Sequence, residues 1–453
     1  MNSNKKICII GCGIAGISAL RVLSEEIAGF PQNYSIHAYE RRSNLGGLWN
    51  YDENLDAEFI SPVYRDLRTN LPKELMAYPD FPFSDNQQDS FLGHRDILNY
   101  IQDYAKHYDL EKFIEYNCEI LKVEPLINQD FSRWKLTILN LRTMATFEKW
   151  FDVVLVCNGH FDTPKIPNIK GIKNFKGECI HSIYYRIPEN YINKSVFVVG
   201  AKSSGMDIAL QLIEISKKVY LSHSGQKLMW KIEKNNFLET PRISHIDSES
   251  MICLVDGSRH EADVIIFCTG YEINLDFLSK SVGLNYDNTY VRPFYKHLIN
   301  PFFPDTFFII GIGYEITPFN HSYMQCKVVR SIIQNCYRNL TLSTEKLIQE
   351  ISKDEEELEM NNIQMRHRHY FNEKEWPYFK WCENVANDVM TFKMPHYLKY
   401  IFEIVKKWRF ENTSQYRDIK IKLTTDNKLG FVIKNGPEND FYSKNFMEML
   451  SNI

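Results

Sequence analysis

Two short apolar runs, each leading into a glycine-bearing turn and then a helix, limit what this chain can fold into more than any other feature. The first is ICIIGCGIAG, residues 7–16, and the second is SVFVVGAKSSG, residues 195–205. A buried strand, a tight turn and a helix in that order open a dinucleotide-binding unit. Residues 6–10 read as the first strand and Ile14 to Ile27 as its helix. Gly11 permits the turn, Gly13 lets the backbone approach a pyrophosphate, and Gly16 lets helix and strand pack closely. The helix start presents N–H groups and the positive end of its dipole to the anion. The next apolar run, SIHAYE, ends on Glu40, an acid placed to bond ribose hydroxyls. Beyond it, ERRSNLGGLWNY (40–51) brings the backbone of Gly46 and Gly47 beside the ligand and lets Trp49 pack on it.

Charge and cysteine usage narrow the function classes. The formal net charge is -4 and no long basic run occurs, which argues against nucleic acid or an anionic membrane as the main partner. None of the 10 cysteines forms a CxxC pair, and several sit in apolar runs. They read as reduced and structural, without a zinc site, in a reducing compartment; the expected location is cytoplasmic. No apolar stretch reaches the length of a membrane span. The N-terminal lysines and apolar run resemble a signal peptide only until the glycines interrupt them.

Further along, residues 95–108 read as an amphipathic helix, with strands near 118–125 and 133–140. FDVVLVCNG (151–159) reads as a buried strand, and DTPKIPNIKG (162–171) as a proline-rich connector. The second unit continues through a helix at 205–216 and the strand KVYLS (218–222), and ADVIIFCTG (262–270) closes it. FFIIGIG (307–313) then returns to the first unit, followed by a helix near 324–338 and mainly helical, polar-faced sequence over 343–420. The expected fold is α/β with two Rossmann-like dinucleotide-binding domains, one inserted in the other. The boundaries are 1–163 for the first part of the host domain, 164–272 for the insert, and 273–453 for the remainder.

These motifs, in this order, resemble the flavin-containing monooxygenases. GCGIAG, Glu40, GGLW and VYRDLRTNLPKELMAYPDFPF (63–83) match, and so does the segment Phe175, Gly177, His181, Tyr185. Tyr185, where related Baeyer–Villiger enzymes usually carry Trp, points to the nitrogen- and sulfur-oxygenating branch, whose shorter members include insect alkaloid N-oxygenases. The resemblance implies FAD in the host domain and NADPH in the insert. To the FAD site it assigns Gly11, Cys12, Gly13, Ile14, Ala15 and Gly16. Glu40, Arg41, Gly47, Leu48 and Trp49 join them, and Thr69, Asn70, Leu71, Ile120 and Gln325 are further cofactor-binding residues, with Thr69 and Asn70 beside both the flavin and NADP. To NADPH it assigns Gly200, Lys202, Ser203, Ser204, Gly205, Met206, Asp207 and His223, and it adds Thr269 and Gly270 as cofactor-binding residues of the linker.

Two departures concern NADPH. Lys202 stands where the family has its middle glycine, obstructing the pyrophosphate, pairing with a phosphate as a point charge, or standing as a solvated loop lysine. The family commonly has an arginine after the strand KVYLS; here His223, its neighbouring serines and Lys227 are the available substitutes. CNGH (157–160) and FCTGYE (267–272) resemble the family's paired linkers, which serve as hinges. His181 reads as a buried structural histidine, and the His367–His369 pair not as a metal site.

The resemblance assigns catalysis to Asn70. A neutral amide can hold a flavin C4a-(hydro)peroxide by hydrogen bonds without supplying an acidic proton. The implied reaction consumes NADPH and inserts one atom of O₂ into a soft nucleophile, by N-oxygenation of a tertiary amine or alkaloid or by S-oxygenation of a sulfide. Three alternatives stay open: a Baeyer–Villiger or N-hydroxylating monooxygenase, a disulfide reductase-like enzyme, which the cysteine spacing disfavours, and a non-catalytic nucleotide-binding flavoprotein. A homo-oligomer stays open as well.

Overall fold

The structure, a computed structural model, describes residues 5–433 apart from 30–32, 58, 85, 128–131, 226–227, 229–231, 233, 288, 388, 390–392, 412–414 and 424–428. Lys227 and the C-terminal residues 434–453 therefore lie outside the described residues.

β1 (Lys5–Ile10) starts with two exposed lysines and continues as four buried apolar residues. A strand covered on both faces must be apolar throughout. It pairs in parallel with β2 (Tyr34–Glu40) on one side and Val153–Val156 on the other. Phe307–Ile309 and Ile114–Tyr116 form the edges of this sheet. The second sheet repeats the plan. Ser195–Val199 lies between Lys218–Ser222 and Val264–Phe267, with Phe237–Thr240 and Glu178–His181 at the edges, all parallel. In each sheet the strand before the glycine turn sits where strand order reverses, the place where open parallel sheets bind ligands. Two Rossmann-like units are thus present, and a strand formed after the second unit completes the sheet of the first. The outward and return passages, Thr163–Pro164 and Tyr271–Glu272, pair antiparallel and so lie side by side.

The helices are α1 (Ile14–Ser24), α2 (His94–His107), α3 (Ser203–Ile213), α4 (Pro318–Ile333), α5 (Thr344–Met360), α6 (Glu375–Val385) and α7 (Tyr397–Glu411). Among the described residues, none is long and apolar enough to cross a membrane. α1 and α4 pack together with their starts at the same end: Gly311, just ahead of α4, lies near Ala15, and Arg330 donates to the carbonyl of Val22 at 2.6 Å. α4 also buries Lys327, whose ammonium meets Glu25 at 2.5 Å. Burial pushes the Lys327 pKa down, against the pull of Glu25.

Several boundaries differ from the sequence reading. α1 stops at Ser24 instead of Ile27, because Glu25 takes extended backbone and turns to the buried α4 cations. α3 runs three residues earlier than 205–216 at its C-terminal end. α4 begins at Pro318, ahead of residue 324; proline suits a first helical turn. FDVVLVCNG is two elements, since Phe151 ends an antiparallel strand (Ala145–Phe151) and the parallel strand starts at Val153. Asp152 marks the changeover, accepting the Lys6 N–H at 2.7 Å and the Arg133 guanidinium at 3.1 Å. The region 343–420 is helical, but α6 buries Tyr378, Phe379, Cys382 and Val385, and the described chain ends in a hairpin, Ile419–Leu423 with Leu429–Ile433.

Candidate functional site: two nucleotide units that meet at Asn70

The first loop is held from behind by Glu40. Its buried carboxylate accepts the N–H of Cys12 at 2.7 Å and of Arg42 at 2.9 Å, which fixes the turn carrying Gly11 and Gly13. Gly13 and Gly47 face each other so closely that a Cβ on Gly47 would stand 2.9 Å from the Gly13 Cα. Only bare backbone fits in the cradle between these two glycines, beside the start of α1. The GLWNY segment beside it contains three buried polar atoms with no protein partner: Trp49 Nε1, Asn50 Oδ1 and Tyr51 OH. Buried polar groups require partners, so a polar ligand along this segment fits what is present. Cradle, helix start, acid and orphaned polar atoms together fit FAD.

Ile14 and Ala15 open α1 at the cradle, and Leu48 follows Gly47, its carbonyl accepting the Ser61 hydroxyl. Thr69 is buried and tied twice to Leu92, by its N–H at 2.8 Å and its hydroxyl at 3.1 Å, and Leu71 packs on the same core. Arg41 turns to Asp162 at 3.2 Å and lies over Phe59. Ile120 is a core residue of the antiparallel sheet. Gln325 is fully buried and committed: it accepts from Gly311 N at 2.8 Å and donates to Tyr378 OH at 3.0 Å and His297 O at 3.2 Å. It therefore holds the strand exit in place. Cys12 is no reactive thiol, because burial and the neighbouring Glu40 push its pKa up.

The second loop copies the first. A Cβ on Gly205 would stand 1.8 Å from the Gly200 carbonyl, and one on Gly16 stands 1.9 Å from that of Gly11. Ser203, Ser204 and Met206 form the first turns of α3. Lys202 turns toward a residue from a distant part of the chain. Its ammonium reaches the hydroxyl of Tyr370 at 2.7 Å, 4.4 Å from the ring centroid, and Tyr370 stacks on Tyr314. His223 is likewise engaged. Nε2 donates to Glu239 at 2.8 Å and Nδ1 accepts from Gly225 N at 3.1 Å, so a carboxylate stands beside the strand end where the family's arginine is missing.

Asn70, in the first unit, reaches the second loop. Its amide donates to Ser203 Oγ at 3.2 Å, and Arg409 donates to the same oxygen at 2.8 Å. One turn along α3, buried Asp207 meets Tyr64 OH and Arg417. The family signature supports this junction. Tyr185 is buried, donates to Gln211 at 3.0 Å and meets Tyr64 edge-on. Arg186 donates to the carbonyls of Val63 at 2.7 Å and Ser61 at 3.0 Å, binding the signature segment to the first unit. His181 Nε2 bonds the Gly270 carbonyl at 2.9 Å and its Nδ1 accepts from Ile183 N. Burial lowers its pKa to about 4, so it is neutral and holds the return linker. In that linker Thr269 donates its hydroxyl to the Lys165 carbonyl.

His367 and His369 do not form a pair. His367 closes a short 3₁₀ turn, and His369 is buried against His297, Nδ1 to Nδ1 at 2.7 Å. Burial lowers the His297 pKa to about 3. No group of three potential metal ligands occurs among the described residues.

Five residues that engage these groups escaped the sequence reading: Tyr64, Glu239, Tyr370, Arg409 and Arg417. Tyr64 lies inside the quoted VYRDLRTN motif, where a tyrosine ahead of Asn70 was a usable signal. The others sit far from any glycine turn.

The comparisons with known proteins agree with this geometry. The family model described as flavin-binding monooxygenase-like matches residues 4–239. Flavin-containing monooxygenase FMO GS-OX3 of Arabidopsis thaliana is 31% identical over 430 residues, covering 90% of this chain and 87% of that protein. FMO GS-OX1 of the same plant is 30% identical over 412 residues, 85% of this chain and 86% of that protein. Among solved structures, the S-allyl-L-cysteine S-oxygenase of Allium sativum superposes with a TM-score of 0.83 at 25% identity, covering 99% of both chains. Tmm of Pelagibacter sp. strain HTCC7211 has the same fold, with a TM-score of 0.80 at 22% identity over 96% of this chain and 98% of that one.

Proposed function

This chain belongs to the flavin-binding monooxygenase-like family, and from that premise we propose that it transfers one oxygen atom of O₂ to a soft nucleophile, a thioether sulfur or a tertiary amine. It is a flavin-dependent monooxygenase with FAD and NADPH as cofactors. Residues 164–272 serve as the NADPH-binding unit and the flanking parts as the FAD-binding unit. The likeness to an S-oxygenase favours sulfur as the first substrate class to examine. Ten free cysteines support a reducing compartment, the cytoplasm.

The observation that carries the reading is the bond from Asn70 to Ser203 across the two nucleotide units. Bound FAD supplies acceptance of hydride from NADPH and activation of O₂. The chain supplies placement. Glu40 locks the first turn so that the α1 start meets a diphosphate, Gly200 and Gly205 do the same for α3, and Asn70 offers a neutral donor at the seam. No acid–base triad is needed, and the linker histidine His181 is neutral.

The test is anaerobic reduction with NADPH, then exposure to air with a panel of thioethers, tertiary amines and cyclic ketones, and mass spectrometry of products. Sulfoxide or N-oxide is expected; oxygenation of the ketones alone would overturn the reading.

Two predictions bear on NADPH. Lys202→Gly removes the cation held on Tyr370 and is expected to raise the KM for NADPH by about threefold. Unchanged KM values for NADPH and NADH would make Lys202 a bystander. His223→Arg with Glu239→Gln replaces a carboxylate-paired imidazole by a guanidinium suited to a 2′-phosphate. The preference for NADPH over NADH is expected to rise by about tenfold, and a constant ratio of the two kcat/KM values would refute the assignment of that pair.

A further inference from the structure

We propose that Arg417, in the C-terminal segment, is a positioning residue for Asn70 and makes its placement depend on docking of the NADPH-binding unit. The proposal rests on the function proposed above. Each guanidinium nitrogen of Arg417 has its own acceptor. Nε donates to the Thr69 carbonyl at 2.9 Å, Nη2 to the Arg68 carbonyl at 3.3 Å, and Nη1 to the carboxylate of Asp207 on α3. Two acceptors belong to the residues immediately before Asn70, and the third to the opposite unit. The planar fork of arginine thus spans the junction, an arrangement that lysine, a point charge, cannot reproduce.

The segment that carries Arg417 is docked independently. Arg68 donates back to the Arg417 carbonyl at 2.9 Å, Ile421 N donates to Ser90 Oγ at 2.8 Å, and the Tyr416 ring meets Phe91 edge-on. Arg417 also lies 4.9 Å from the Tyr416 ring centroid. The guanidinium is largely buried, with a side chain 15% exposed, and Asp207 raises its pKa against the opposing effect of burial. Thr69 is itself buried and bonded to Leu92, so fixing its carbonyl fixes the direction in which Asn70 leaves the turn. Asn70 then finds Ser203, four residues before the Asp207 that Arg417 holds. Arg417 and Asn70 thus bind α3 one turn apart.

A simpler role is that Arg417 only neutralises buried Asp207, and three variants separate the two. Arg417→Lys keeps the charge and loses the fork. Arg417→Gln leaves Asp207 without its cation, and Asp207→Asn/Arg417→Gln removes both charges. Uncoupled turnover converts NADPH, H⁺ and O₂ to NADP⁺ and H₂O₂. In Arg417→Lys the share of NADPH oxidation appearing as H₂O₂ is expected to rise about threefold or more. In ligand-free protein, amide exchange over residues 68–71 is expected to quicken about tenfold while residues 7–23 keep their rates. The double variant is expected to regain the melting temperature lost in Arg417→Gln without regaining coupling. Wild-type coupling and exchange in Arg417→Lys, or recovery of coupling together with stability in the double variant, would overturn the proposal. The exchange measurement needs no cofactor turnover, so its result stands even where wild-type protein is not reduced by NADPH, an outcome that counts against the proposed function alone.

Discussion

Asn70→Ala is expected to leave FAD bound and NADPH oxidation running while oxygenated product falls about a hundredfold, the scale for losing one donor aimed at developing charge. The geometry separates the side chain from the fold. The buried anchors of this turn are the bonds of Thr69 to Leu92 and of Arg417 to Thr69 and Arg68, none of which uses the Asn70 amide. What the substitution removes is the donor to Ser203 at the seam of the two units. Asn70→Asp makes the sharper comparison, because a carboxylate of the same shape accepts but does not donate when ionised. Both variants are expected to divert electrons to H₂O₂, measured against product in one reaction. Undiminished product from Asn70→Ala would end the catalytic assignment.

Gly16→Ala is expected to yield protein purified without flavin, destabilised by about 3 kcal/mol from backbone overpacking. The added Cβ would stand 1.9 Å from the Gly11 carbonyl, so α1 must leave β1 and the turn between them must change. Gly205→Ala poses the same problem in the second unit, at 1.8 Å from the Gly200 carbonyl. Its expected phenotype differs: a yellow protein that fails to bind NADP⁺. The ratio of flavin to protein absorbance and titration with NADP⁺ separate the two. Loss of flavin from Gly205→Ala with retention in Gly16→Ala would reverse the assignment of the units.

Both glycine loops were legible because the constraint is local: strand, turn and helix follow one another directly in the chain. β1 and Glu40 fall where their apolar runs end, and α3 follows its turn. The seam was less legible, because its contacts join residues far apart in the chain. Nothing in the local sequence of Arg417 indicates that it meets Thr69 and Asp207. Lys202 shows the limit from the other side. The sequence of this turn gives no sign that Lys202 bonds Tyr370, which comes from a distant turn. The α4 boundary was missed because full burial of that helix removes the amphipathic pattern by which helices are recognised.

The antiparallel pairing of Thr163–Pro164 with Tyr271–Glu272 bears on the order in which the molecule assembles. The central sheet needs Val154 beside Phe307, two residues separated by the whole inserted unit. Closing so long a loop from a disordered chain is entropically costly and slows folding. Once the inserted unit has folded, its ends stand together, and the chain still to be closed is only the short stretch after Val156 and the segment before Phe307. The inserted unit then acts as a pre-tied knuckle that shortens the route to the first sheet, so the second unit helps to build the first.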